Sequence, residues 1–94
     1  MNAREEIEAR RLEIDRIDDS IVDLLARRAR CAIAIGRAKR LEGTPVRDLA
    51  REAEVIARLK DRARGKLDPL SIERVWERIM ELSRRLEEEE GSHR

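Results

Sequence analysis

Apolar residues recur along roughly the first forty positions at intervals of three and four, the spacing that lays them on one face of an α-helix. Numbered in heptads from Ile7, one stripe reads Ile7, Ile14, Ile21, Arg28 and Ile35. Its companion reads Arg10, Ile17, Leu24, Cys31 and Ala38. No glycine or proline interrupts the run before Gly36, and Gly43 followed by Pro45 supplies a stop. The pattern predicts a helix from about Ala3 to Glu42. A second starts near Asp48, a good N-cap, and carries Leu49, Ala53, Ile56, Leu59 and Ala63 on one face until Gly65 ends it. Asp68-Pro69 then gives a cap and a first turn for a third helix bearing Ile72, Val75, Trp76, Ile79, Met80, Leu82 and Leu86. There is no strand pattern and no repeat. The expected fold is all-α, with three helices: long, short and medium.

The length of the first helix bears on assembly. About forty residues at ~1.5 Å each make a rod of roughly 60 Å. A compact chain of this size has a radius of gyration of only ~12 Å. Two shorter helices cannot cover such a rod, so its apolar seam calls for a second copy of itself. The expectation is an obligate, intertwined homodimer forming a helical bundle.

Composition narrows the function classes. Ninety-four residues suit a single domain spanning 1–94, with its core at about 5–88. The acidic run Glu87 to Glu90 and the following Gly-Ser-His-Arg read as a fraying, solvated end, so 89–94 is expected to be a flexible tail. Charged residues make up 46% of the chain and no long apolar run exists, which argues against a membrane partner and against a secretory signal. One cysteine cannot form an internal disulfide and suits a reducing cytoplasm. Twenty-two Lys and Arg nearly cancel 21 Asp and Glu, so the net charge of +1 gives no general pull towards nucleic acid. Any preference for anions must come from where the basic residues sit. A single His and a single Cys make no metal site, and no phosphate-binding loop is present, so no metal and no cofactor are expected.

Arg28 falls on the apolar seam, where a guanidinium that never loses its charge is costly unless an anion meets it. Either the chain supplies a carboxylate there or a ligand does. Lys39 follows eleven residues later, ~20° round the helix and ~16 Å along it, close enough for two long side chains to converge on a small anion. Arg11 is ~25 Å from Arg28 on the same rod, beyond shared reach unless an antiparallel partner brings its own copy alongside. Asp48, Arg51 and Glu52 cluster at the start of the second helix, where backbone N–H groups are free to donate. Ser83 interrupts the apolar stripe of the third helix, and Glu87 follows at i+4 on the same face. Each has an ordinary structural explanation: solvated or paired cations, an N-cap, a hydroxyl bonded to its own turn, the start of an acidic tail. Several cations and few carboxylates pointing inward together carry more information than any one of them.

Several runs resemble one family. Ile14-Asp15-Arg16-Ile17-Asp18 through Leu24-Leu25-Ala26-Arg27-Arg28, then Ile35-Gly36-Arg37-Ala38-Lys39, then Gly43-Thr44-Pro45-Val46-Arg47-Asp48 and Arg51-Glu52 look like the all-helical class of chorismate mutases. The similarity covers about residues 5 to 88. Members of that family form intertwined dimers of three-helix chains. The resemblance implies an isomerase that converts chorismate to prephenate by a concerted Claisen rearrangement, in aromatic amino acid biosynthesis, with no cofactor. It implies that Arg28 and the partner's Arg11 clamp the two carboxylates, with Arg51 and Ser83 helping nearby. Lys39 would donate to the ether oxygen, Glu52 and the Asp48 region would hold the ring hydroxyl, and Ile35, Val55 and Met80 would form apolar walls. Where many bacterial relatives carry a glutamine as second donor to the ether oxygen, this chain has Glu87, which can donate only when protonated. Relatives of this size sometimes associate with another enzyme of the shikimate pathway, so docking to such a partner is also among the expectations.

Two other functions compete. Isochorismate-pyruvate lyase shares the fold, the arginine clamp and the lysine, although the motif from Gly43 to Glu52 favours the mutase. A non-catalytic helical dimer would tolerate Arg28→Ala and Lys39→Ala with nothing to lose.

Overall fold

The computed structural model describes residues 1–92 and is helical almost throughout. Helix α1 runs Ala3–Glu42, α2 Leu49–Ala63 and α3 Pro69–Ser92. The boundaries follow local chemistry. Asn2 caps α1 by accepting from the Glu5 N–H at 2.8 Å, with Glu5 and Glu6 in the first turn and Lys39 and Arg40 in the last, as the helix dipole favours. Gly43 adopts the left-handed conformation at φ 75°, so that its N–H reaches Arg40 O and that of Thr44 reaches Lys39 O. This closes α1 in the way glycine alone does cheaply. Asp48 caps α2 by accepting from Arg51 N at 3.0 Å. Asp68 accepts from the backbone and the hydroxyl of Ser71 at the start of α3, and these bonds hold its carboxyl below the usual carboxylate range.

α3 packs against both α1 and α2. The molecule measures 61 × 30 × 14 Å with a radius of gyration of 17.5 Å, well above the ~12 Å of a compact chain of this length. Its thinnest dimension is little more than the ~10–12 Å of a single helix with its side chains. A layer one helix thick has almost no interior. Among the described residues Val55, Ala63 and Met80 are the buried hydrophobic side chains, joined by Ser83. Ile7, Ile14, Ile17, Ile21 and Leu24 remain about half exposed along α1. The N-terminal half of the rod therefore has an apolar face that its own chain does not cover.

Two details depart from the sequence pattern. The buried face of α2 centres on Val55, Ile56, Leu59 and Ala63, whereas Leu49 and Ala53 are exposed. The helix is turned so that Glu52, one turn before Val55 and Ile56, looks inward instead. In addition, α3 continues as helix through the acidic run to Ser92, where a fraying end is expected. Arg37 of α1 ion-pairs with Glu90 and ties this last stretch to the long helix. His93 and Arg94 of the expected tail lie outside the described residues.

Candidate active site

Where the second half of α1, the 43–48 loop, the start of α2 and the second half of α3 meet, they enclose an open cavity of about 250 Å³. Arg28 and Lys39 enter it from α1, Asp48, Arg51 and Glu52 from the loop and α2, and Ser83 and Glu87 from α3. Ile35, Val55 and Met80 supply apolar wall. The seven same-chain candidates are thus brought together. Arg11 is not: it sits towards the far end of α1, exposed and away from the cavity of its own chain.

Arg28 is half-buried, and its Nη1 donates to Ser83 Oγ at 2.9 Å. The buried Ser83 hydroxyl in turn donates to Ile79 O at 3.1 Å, which satisfies the hydroxyl and aims its lone pairs at Arg28. Among the described residues no carboxylate pairs with Arg28. Lys39 Nζ donates to Val46 O at 3.3 Å, a long bond that leaves two of its three N–H groups for another acceptor. The Asp48 carboxylate is occupied as the cap of α2, and Arg51 leans outward to Glu54 at 3.3 Å.

Glu52 is held on both sides. Arg47 Nη2 reaches one carboxylate oxygen at 3.4 Å and Arg84 Nη1 reaches the other at 3.2 Å. Glu87 packs over Gly36, where a β-carbon would stand 3.4 Å from Glu87 Cγ, so the bare backbone of α1 makes room for that acid. Burial raises the Glu87 carboxyl above its ordinary value. Lys39, Arg40 and Arg84 pull it down and Glu52 pushes it further up.

Arg47 and Arg84 line the cavity but have no role in the sequence reading. Arg47 stands inside the quoted motif, and Arg84 is three residues before Glu87 on the same helix face, so both were within reach of the pattern. That both would hold the candidate Glu52 was not, because Arg84 lies 32 positions away from it. Five cationic side chains line the cavity against three carboxyls, an imbalance suited to a small dianion. Among the described residues no group of three or more His, Cys, Asp or Glu is placed to hold a metal, and no helix is long and apolar enough to cross a membrane.

A family model described as chorismate mutase type II matches residues 10–88. The chain is 34% identical over 82 residues to a bifunctional chorismate mutase/prephenate dehydratase of Escherichia coli strain K12, covering 86% of this chain and 21% of that protein. It is 31% identical over 85 residues to the protein of the same description from Stutzerimonas stutzeri, covering 85% and 23%. The chain thus spans less than a quarter of the length of these curated relatives. Among solved structures, a chorismate mutase from Thermus thermophilus (form II) superposes with a TM-score of 0.84 at 35% identity, covering 88% of this chain and 94% of that one. Its form I gives 0.80 at 33% identity, covering 83% and 98%.

Proposed function

Because the chain belongs to the chorismate mutase type II family, we propose that it isomerises chorismate to prephenate in a pocket completed by a second copy of itself. The observation that carries this reading is Arg28: a half-buried guanidinium bonded to a serine hydroxyl, with no carboxylate among the described residues paired to it. A substrate carboxylate supplies the missing anion.

The reaction needs no nucleophile. One ether C–O bond breaks as one C–C bond forms, in a single cyclic shift of electrons. The protein has two tasks. It holds the dicarboxylate in the folded conformer that brings the two ends together. It also meets the negative charge growing on the ether oxygen with donors already in place. Arg28 and the partner's Arg11 grip the carboxylates, with Arg51 and Ser83 beside them. Lys39 offers its spare N–H groups to the ether oxygen. Glu52 and the backbone around Asp48 take the ring hydroxyl. Ile35, Val55 and Met80 exclude water and thereby strengthen each of these interactions.

Glu87 is the second donor to the ether oxygen, and it must carry a proton to act. Its burial against Gly36 supports that role, since burial raises its carboxyl. Activity then falls as pH climbs through the Glu87 pKa. The uncovered apolar face of α1 and the thinness of the subunit support the homodimer. The proposed setting is the cytoplasm, where an exposed thiol such as Cys31 stays reduced. A second enzyme of the shikimate pathway is a proposed docking partner.

The test is direct. Purified protein is given chorismate, and separately isochorismate, while substrate absorbance and released pyruvate are followed. Prephenate from chorismate, with a loss of about 10²–10³-fold or more in Arg28→Ala and Lys39→Ala, is the expected result. Pyruvate from isochorismate alone would replace the reading with the lyase. No turnover of either compound, with both variants indistinguishable from wild type in substrate binding, would leave a helical scaffold.

A further inference from the structure

Arg84 sits at a junction that the proposed chemistry does not use. It lines the substrate cavity, and its guanidinium crosses from α3 to the start of α2 to hold one oxygen of Glu52 at 3.2 Å. Arg47 of the 43–48 loop takes the other oxygen at 3.4 Å. A carboxylate gripped at both oxygens from two different elements has its plane and direction defined, which a single ion pair does not achieve. Partly exposed pairs of this kind add little to stability, so a contribution to folding does not account for the arrangement. Arg84 also precedes Glu87 by three residues, and its charge acts on that acid.

We propose that Arg84 is a positioning residue: from α3 it locks the orientation of Glu52 while setting its positive charge beside Glu87. The proposal rests on the reading of Glu52 as acceptor of the ring hydroxyl and Glu87 as proton-bearing donor.

Several groups face Glu87. Lys39 and Arg40 approach it from α1, Glu52 from α2 and Arg84 from its own helix, while Arg47 of the loop lines the same cavity. Burial and the Glu52 charge favour the neutral acid, and Lys39, Arg40 and Arg84 favour the anion. Taking Arg84 away therefore has two effects of opposite kind. Glu52 keeps only Arg47 and loses its fixed direction, so substrate binding weakens. Glu87 loses one opposing charge and keeps its proton to higher pH, so the alkaline limb of the activity profile moves up. A side chain that served packing alone would produce neither pattern.

The experiment compares wild type, Arg84→Met, Arg84→Lys, Glu87→Gln and the double variant R84M/E87Q, with KM and kcat measured across pH. Met keeps most of the stem and removes the charge; Lys keeps the charge. Expected in R84M are a KM raised about 10-fold and an alkaline limb shifted up by about half a pH unit, consistent with losing one charged neighbour. R84K leaves the limb in place, and R84M/E87Q shows the KM rise without any limb to move. Unchanged KM and an unmoved limb in R84M would overturn the proposal. If E87Q alone fails to remove the limb, the donor reading of Glu87 has failed. The KM contrast between R84M and R84K then decides the locking of Glu52 by itself. Should chorismate not be a substrate at all, ¹³C NMR titration of the Glu87 carboxyl still decides: an upward move in R84M supports the proposal, and an identical midpoint ends it. If R84M does not fold, Arg84→Gln takes its place in each comparison.

Discussion

Ile17→Asp is the sharpest perturbation of the proposed assembly. Ile17 lies on the α1 seam and is 51% exposed in the single subunit, so about half of its apolar surface has found no cover. Full burial of an isoleucine side chain stabilises by ~1.5–3 kcal/mol, so covering the remaining half contributes about 1 kcal/mol per copy. A twofold dimer carries the substitution twice and loses about 2 kcal/mol from apolar contact alone. Each new carboxylate must in addition give up part of its hydration, at no less than ~1 kcal/mol apiece even for a neutral polar group. The dimer should weaken by at least ~4 kcal/mol, or roughly 1000-fold in dissociation constant. Sedimentation equilibrium over a wide concentration range reads this directly, with Ile17→Leu as the apolar control. In wild type, activity per subunit should remain constant on dilution across a range where the Asp variant loses it, because in the proposed dimer Arg11 reaches the site from the other chain. A wild-type protein that sediments as a monomer, or an Asp variant that dimerises as tightly as the Leu control, would rule out a dimer built on this seam.

Further outcomes are expected. Glu87→Gln should flatten the alkaline fall in kcat, because an amide donates at every pH. It should also become more stable than wild type as pH rises. The wild-type folded state holds the Glu87 proton more tightly than the unfolded chain does. Ionisation therefore costs stability from the ordinary value of 4.5 upward until the raised folded pKa is passed, a window that thermal melts at several pH values would show. Arg11→Ala and Arg28→Ala homodimers should each be nearly inactive. When the two are unfolded and refolded together in equal amounts, about a quarter of wild-type activity should return, since half the dimers are mixed and each mixed dimer has one intact site; additive residual activity alone would place Arg11 elsewhere. Gly36→Ala should raise stability in urea by up to ~1 kcal/mol, because the new β-carbon meets Glu87 at an ordinary contact distance of 3.4 Å and the helix gains a better former. A loss of stability there would show that Glu87 cannot yield at all.

The strength of the site lies in how little the subunit does for itself. Among the described residues Arg28 has a hydroxyl as its hydrogen-bond partner and Lys39 a long bond to a carbonyl, while Glu52 is held by Arg47 and Arg84, Asp48 is spent on a helix cap, and burial favours the neutral form of Glu87. Cations left with incomplete partners suit the incoming dianion of the proposed reaction.

Periodicity and punctuation alone determined the three helices and nearly all of their boundaries, because Asn2, Gly43, Asp48 and Asp68 act through bonds to their immediate neighbours. The candidates on α1 were legible for the same reason: a charge on an apolar stripe is visible in one dimension. What one dimension could not contain is the angle at which α2 meets α3. That angle turned Glu52 inward instead of Leu49 and placed Arg84 across from it, 32 residues away. The helix also runs past Glu87, and there Glu90 meets Arg37 of α1, a contact that local acidity gave no cause to expect. Local bonds are written in neighbouring letters, whereas long side chains choose partners only after the helices have settled how they cross.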